Sequence, residues 1–406
     1  GIFAAINLSG ATSNLTINII SDLSGELGIH ALNQIAGGLT VLIKPSGGPR
    51  TITGSNAGAL IRLNDSDGVT IDGSTSGATA AACFVGGNAT LRELTIQNTN
   101  VGTSACVLAV QTGTNGAQNN TIKNVNILGQ DPATTLIGIS LGGNTPGTAG
   151  ADNDNNRVEN CSVKRSIFGI YSAGFSAANQ NTGTVITKND FSALSTDRIR
   201  RVGIVLFTDD GAQVTYNSVA VETNESADAI GIALGNQAID TTIVTSGNVT
   251  NALVSNNKIN GIASLSVTGF SAAGITVAGG TTGVNSIANN MISGVTAPAT
   301  SPDIVAGIYV VGATGSNTRL LYNTISLSGD RGAVASQTPS FGIAITGTDP
   351  TVRLTNNIIS TTQIASGGGG NAKSYAVGMV STAFANLDSN YNAYWSAGAN
   401  DGGFRT

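Results

Sequence analysis

The stretch SIANNMISG, residues 286–294, has a near twin in RLTNNIIS, residues 353–360. Each sets asparagine in the middle of an apolar, strand-like run, although asparagine is a poor strand former and costly to bury alone. The shared pattern is apolar, two residues, Asn, one residue, apolar. It fits Ile186–Asn189–Phe191, Val214–Asn217–Val219 and Val254–Asn257–Ile259, and again Ile287–Asn290–Ile292, Leu320–Asn323–Ile325 and Leu354–Asn357–Ile359. Leu387–Asn390 matches its first half. Upstream, the same frame places Leu94, Val125 and Cys161 in the asparagine slot. Most successive asparagines lie 33 or 34 residues apart, with 28 between Asn189 and Asn217 and 40 between Asn217 and Asn257.

A second landmark travels with the first. Gly-Ile opens an apolar run at Gly138, Gly169, Gly203, Gly231, Gly274, Gly307 and Gly342, with Val377-Gly378 as a variant. Each repeat therefore holds at least two short strands, joined by segments of variable length, as loops are. Leucine-rich repeats and propeller blades carry other signatures, and a β-sandwich has no reason to repeat one polar residue at one strand position. A parallel β-helix does: its coils stack, so one position recurs above itself. About a dozen coils at ~4.8 Å each predict a rod roughly 50–60 Å long. The asparagines then form one buried row, each amide bonded to the next, continued upstream by Cys161, Val125 and Leu94. Asn256 and Asn289, the residues before Asn257 and Asn290, point outward.

The ends of such a stack are bare strand edges that need cover. Residues 24–36 alone show a helical period, through Leu27, Ala31 and Ile35, and are expected to form a short N-terminal capping helix. His30, the only histidine, is placed on its surface. The division expected is residues 1–40 as N-terminal strand and cap, and 41–406 as β-helix, one structural domain in all. The chain reads as part of a longer protein continuing past residue 406.

Composition agrees with short strands and tight turns. The 406 residues are 40% hydrophobic, 10% charged and 4% aromatic, with 54 glycines. The net charge is −5, and the 18 Lys and Arg are spread thinly, which argues against nucleic-acid binding. No apolar run nears the ~20 residues of a membrane-spanning helix. Cys83, Cys106 and Cys161 lack metal-site spacing and read as three buried small hydrophobes.

With the frame in place, FAAIN, LTINIISDLSGELG, ALIRLNDSDGVTIDGS, NNTIKNVNI, NDNNRVENCSV, FGIYSAG and LDSNYNAYW resemble secreted right-handed parallel β-helix (pectin-lyase-like) surface proteins of bacteria, of the type found in Bacteroidota and soil bacteria. The resemblance runs nearly end to end. It implies a right-handed all-β solenoid at the cell surface or outside the cell, with adhesion, surface fibres or carbohydrate binding as the associated roles. Enzymes with this kind of fold need further features. Pectate-lyase-like enzymes use a carboxylate cluster for Ca²⁺ and a basic residue for proton abstraction. Polygalacturonase-like enzymes use three carboxylates and a His in Gly-His-Gly, a motif this chain lacks.

The richest charged stretch is STDRIRRVGIVLFTDDG, residues 195–211. It offers Asp197, Arg198, Arg200 and Arg201 before one strand and Asp209 with Asp210 after it. A general acid/base set would draw on Asp197, Arg201, Asp209 and Asp210, and Ca²⁺, the only cofactor considered, on Asp209 and Asp210. Adjacent carboxylates face together only in a turn. A salt-bridged loop is the plainer reading, so no catalytic residue is assigned. The segments before each Gly-Ile run carry Asp131, Asp197, Arg198, Glu225, Asp228, Asp303 and Asp330, expected to form an acidic loop ridge facing Ca²⁺ or a neutral glycan. The residues after the asparagines, Asp190, Ser218, Lys258, Met291, Thr324, Ile358 and Tyr391, form no threonine rank, which excludes ice binding on that face.

These features point to a non-enzymatic extracellular structural or adhesive module of a larger surface protein or filament. Its expected partners are neighbouring domains or copies of that protein, and glycans. The alternative is a polysaccharide-binding or lyase-like polysaccharide-degrading protein.

Overall fold

A computed structural model describes residues 1–239, 248–278, 280–367, 373–380, 386–396 and 402–405. The chain is a right-handed parallel β-helix whose strands fall into three twelve-stranded sheets and one small sheet of three strands. It divides into two compact units, Gly1–Ile199 with Thr208–Asn217, and Arg200–Phe207 with Ser218–Thr406.

In the first unit, the first sheet stacks Leu15–Ile19, Val41–Pro45, Val69–Asp72, Thr121–Lys123, Arg157–Glu159, Val185–Thr187 and Gln213–Thr215. In the second unit it stacks Leu253–Ser255, Asn285–Ala288, Asn317–Leu321, Thr351–Thr355 and Leu387–Asn390. The second sheet follows the first in each coil, after a sharp corner of one or two residues from Thr121–Lys123 onward but after the long segment 73–93 that follows Val69–Asp72, and the third sheet closes the coil. Apolar residues meet in register inside, as Val254↔Ile287, Ile287↔Leu320 and Leu320↔Leu354 do. Each such side chain, wholly buried, contributes about 1.5–3 kcal/mol.

The Asn-Asn doublets build the corner between the first and second sheets. The residue at the bend is left-handed: φ is 53–60° at Asn124, Asn160, Lys188 and Tyr216 in the first unit, and 56–57° at Asn256, Asn289, Tyr322, Asn356 and Tyr391 in the second. Asparagine tolerates that conformation better than most residues. The next residue turns inward. In the second unit, Asn257, Asn290, Asn323 and Asn357 are almost fully buried. Asn290 Nδ2 donates to the Val254 carbonyl (2.9 Å) and to Asn323 Oδ1 (3.0 Å). Its Oδ1 accepts from Asn257 N (3.1 Å) and Nδ2 (2.9 Å). Both N–H groups and both lone pairs of the amide are thus used. Asn323 repeats this with Ile287 and Asn357. In the first unit, Asn189 donates to Val158 O and Asn217 Oδ1, and Asn217 donates to Ile186 O. Cys161 lies in this row: its backbone N–H donates to Asn189 Oδ1 (2.8 Å), and its thiol lies 3.6 Å from the Ile122 carbonyl. Val125 pairs with Leu94, and both are buried.

The row ends differently from expectation. Its last member is Asn392, not Asn390: Asn357 donates to Asn392 Oδ1 (2.8 Å), and Asn392 donates to Leu354 O (2.9 Å). Asn390 is exposed at the end of its strand. Ser389, paired with Leu354, stands where the pattern has an apolar residue.

The expected helix over residues 24–36 is also corrected. Leu23–Glu26 and Leu32–Asn33 are strands of the first coil, paired with Arg50–Gly54 and Ala59–Asn64. Gly25 and Gly28 take φ of 73° and 58°, which interrupts any helix, and Leu27 is exposed. His30 is exposed on this non-helical stretch. The one α-helix among the described residues is Ile2–Ser9. Its Asn7 donates to Ala31 O and accepts from Asn33 N, which ties it to the first coil.

The Gly-Ile landmarks belong to the third sheet. A Cβ on Gly274 would come within 2.6 Å of Ile292 Cγ2 and 2.6 Å of the Gly307 carbonyl. Glycine here lets a second-sheet isoleucine reach the third sheet, and the same contact recurs at Gly307 with Ile325.

Candidate functional site

The third-sheet strands leave little room for a groove. Ala229–Leu234, Ala272–Ala278 and Val305–Gly312 are buried at every residue. Successive strand residues face opposite sides, so both faces of these three strands are covered, whereas Phe341 and Tyr375 on the two strands that follow are half-buried.

In the first unit, Asp197 accepts from Arg165 Nε (2.7 Å) and lies 3.6 Å from Lys164 Nζ. The Arg165 hydrogen bond holds its carboxyl below the ordinary range. Arg198 donates to Ser195 O (2.7 Å). Asp131 caps its own loop, accepting from the N–H groups of Ala133 and Thr134. Asp209 and Asp210 form a short strand paired with Asn181–Thr182, not a turn. Asp209 is wholly buried and Asp210 is half-buried, so they do not present two carboxylates to one cation. Asp209 Oδ2 accepts from Thr184 Oγ1 (2.7 Å) and Ser172 Oγ (3.3 Å). Its Oδ1 is buried without a partner among the described residues. Burial pushes this carboxyl from an ordinary 3.8 up to about 7, with Asp210 and Asp154 adding to the rise.

In the second unit, Arg200 pairs with Glu225, and Arg201 acts electrostatically on Asp228. Asp228 is buried and accepts from Ile239 N (2.8 Å) and Ser271 N (2.9 Å). Ser271 Oγ donates onward to Asp303 (2.9 Å). Burial raises both Asp228 and Asp303. Asp330 accepts from the N–H groups of Gly332 and Ser366, which lower it. Of these acids, Asp131 caps its own loop, Asp197 and Glu225 sit in ion pairs, and Asp228, Asp303 and Asp330 tie their loops to neighbouring coils.

One charged group lay outside the sequence reading. Asp72, Lys123 and Glu159 are paired across three coils at the end of the first sheet. Lys123 Nζ lies 3.0 Å from Asp72, and Glu159 meets Arg157 (2.7 Å) and Lys188 (2.9 Å). The segment of residues 73–93 covers them: Lys123 and Lys188 also donate to Gly77 O and Ala80 O. Burial alone would raise both carboxyls, but hydrogen bonds from Asn124, Ser74 and Lys123 to Asp72, and from Arg157 and Lys188 to Glu159, hold them below the ordinary range. Each charge in this column is neutralised in place, so neither Asp72 nor Glu159 is a base poised near neutrality.

The cysteine expectation holds for two of three. Cys106 and Cys161 are buried with thiols pushed up to about 12 by burial, whereas Cys83 is exposed. Residue 83 lies in the covering segment and takes φ 63°, outside any strand. Among the described residues, no group of three His, Cys, Asp or Glu is arranged to hold a metal ion, and no helix is long and apolar enough to cross a membrane. A cavity of about 430 Å³ lies inside the first coils, lined by Phe3, Ile17, Ile43, Ile71 and Leu94.

No family model matches the chain, and no curated protein does. Among solved structures it is similar to the Azotobacter vinelandii mannuronan C-5 epimerase AlgE6 A-module, at 12% identity and TM-score 0.43, covering 99% of this chain and 92% of that one. It is also similar to the Dettilon tailspike protein, at 13% and 0.45, covering 93% and 64%. A third is the Streptococcus pneumoniae surface protein and adhesin PfbA, at 11% and 0.34, covering 100% and 95%. At such scores these likenesses carry no argument about function.

Proposed function

We propose that the chain is a non-catalytic extracellular module, structural or adhesive, belonging to a larger bacterial surface protein. One observation carries this reading. The charged side chains that would have formed a reaction centre are taken up in ion pairs, in loop capping, or, for Asp209, in a sealed interior site. A general acid and base must reach a substrate and titrate near the working pH. Asp209 titrates near neutrality but is closed off. The stacked amides and covered third sheet suit a rigid scaffold that presents loops and outer faces to neighbouring domains or to glycans.

The test is incubation of the purified protein with neutral and acidic polysaccharides, with and without Ca²⁺, followed by assays for new reducing ends and for unsaturated sugar products. We expect neither to form above a heat-inactivated control. Sustained product release that Asp209→Asn abolishes would overturn the reading.

A further inference from the structure

We propose that the outer face where the first and second sheets of the second unit meet binds an acidic polysaccharide, laid along the stack of coils. The inference rests on the non-catalytic reading above and gives it a surface and a ligand class.

The face is built by the strand register. Its corner position is taken in successive coils by Asn256, Asn289, Tyr322, Asn356 and Tyr391, all left-handed. Leu321 pairs with Thr355, and Thr355 with Asn390, so the two tyrosines stand two coils apart, ~9.6 Å by strand spacing. Tyr322 is 58% exposed and Tyr391 79%. Trp395, 60% exposed, lies on the second-sheet strand that follows Tyr391 and pairs with Ser360. Beside them the second sheet presents Met291 and Ile358, with Ser293, Ser326 and Ser360 in one register row. Flat aromatic rings interleaved with hydroxyls and amides match the alternating C–H faces and hydroxyl rims of sugar rings.

The left-handed corner adds a second argument. Asparagine suits this conformation and occupies it in three of these five coils, whereas a bulky tyrosine is strained there. In the first unit, Tyr216 at the same kind of corner is used by the fold, for its hydroxyl meets Cys83. Tyr322 and Tyr391 project into solvent instead. Strain kept where the side chain does little for packing points to a use outside the fold.

Charge selects the ligand class. From Leu253 to Trp395, these two sheets expose Lys258, Arg319 and Arg353 against one carboxylate, Asp388, in a chain of net charge −5. Arg319 and Arg353 are register neighbours, and like charges placed so are mutually destabilising. Asp388 answers Arg353 alone, at 3.3 Å. An anionic chain following the coils would meet both guanidinium groups.

Trp395 is the only tryptophan, so its fluorescence reads this face directly. Hexagalacturonate is titrated at low salt, with cellohexaose as the neutral comparator. Tyr322→Asn with Tyr391→Asn preserves the corner, and Arg319→Gln removes one charge. We expect hexagalacturonate to change Trp395 emission saturably and cellohexaose to bind at least about tenfold more weakly. The double tyrosine variant should lose at least about tenfold in affinity while melting no lower than the parent. Arg319→Gln should weaken binding and flatten its salt dependence. No emission change at millimolar hexagalacturonate, equal binding of cellohexaose, unchanged affinity in the tyrosine variant, or a lower melting temperature for it would each overturn the proposal. Absence of binding would leave the non-catalytic reading standing, whereas cleavage of hexagalacturonate would overturn that reading and leave the binding surface in place.

Discussion

Asn290→Ala is expected to destabilise the protein by about 3–5 kcal/mol, while Asn289→Ala, one residue earlier, costs about 1 kcal/mol or less. The truncation at 290 strips partners from several buried groups at once: the Val254 carbonyl, the Asn257 side-chain and backbone N–H groups, and Asn323 Oδ1. Each buried polar group left unsatisfied costs ~1–3 kcal/mol, and water cannot easily replace the partner. Neighbouring amides can re-form some contacts, so the losses fall short of a simple sum. Asn289 is exposed, and its side chain bonds Asn256 at the surface, where water substitutes readily. Chemical denaturation of both variants checks the contrast. Equal losses at the two positions would mean that the inner row is not what holds the coils.

Stability is also expected to fall as pH rises from 5 to 7, and Asp209→Asn should remove much of that dependence. The folded-state carboxyl is raised from 3.8 to about 7, so between these values the native state binds a proton that the unfolded chain releases. The contribution is fully present below about 3.8, shrinks by roughly 1.4 kcal/mol per pH unit, and is lost once pH passes through about 7. Asp228 and Asp303, also raised, act in the same direction. Asp72, Glu159 and Asp197 are lowered, so their contribution is present above the ordinary carboxyl range and fails only below it. At pH 8 the Asp209→Asn protein should be the more stable by a few kcal/mol, since a neutral amide replaces a buried charge beside Asn181 in the adjacent coil. Urea melts at pH 5, 6, 7 and 8 measure both effects. A parent stability that rises toward pH 8 would reverse the sign and refute the assignment.

Much of the fold was legible because stacking makes one position repeat. The doublets at 256–257, 289–290 and 356–357 carry two jobs in adjacent residues, a left-handed bend and an inner amide, and both leave a mark in the sequence. The errors have physical causes. Placing Asn390 in the row instead of Asn392 is a slip of two residues, which preserves the inward and outward alternation, so apolar periodicity could not detect it. Leu27, Ala31 and Ile35 imitate a helical period, but pairing with the second coil and two left-handed glycines win. The Asp-Asp pair implied that one carboxyl faces inward only once it was known to be a strand, and which one depends on register. The Asp72, Lys123 and Glu159 column was hidden because the coils that bring these residues together have very different lengths. The exposed tyrosines at 322 and 391 carried a readable signal: each occupies the slot that asparagine fills at 256, 289 and 356.

The corner, the amide row and the proposed binding face all depend on one coil frame, which disulfide trapping tests most directly. Ser293 and Ser326 are partners in register on adjacent strands of the second sheet, a separation within the ~4.4–6.8 Å that a disulfide spans. With Cys83 replaced by serine, Ser293→Cys combined with Ser326→Cys should oxidise to an intramolecular disulfide in the native protein. Ser293→Cys with Thr324→Cys, displaced by two residues, should stay reduced under the same conditions. Cross-linking in the displaced pair with none in the registered pair would contradict the frame, and with it the account of the asparagine row.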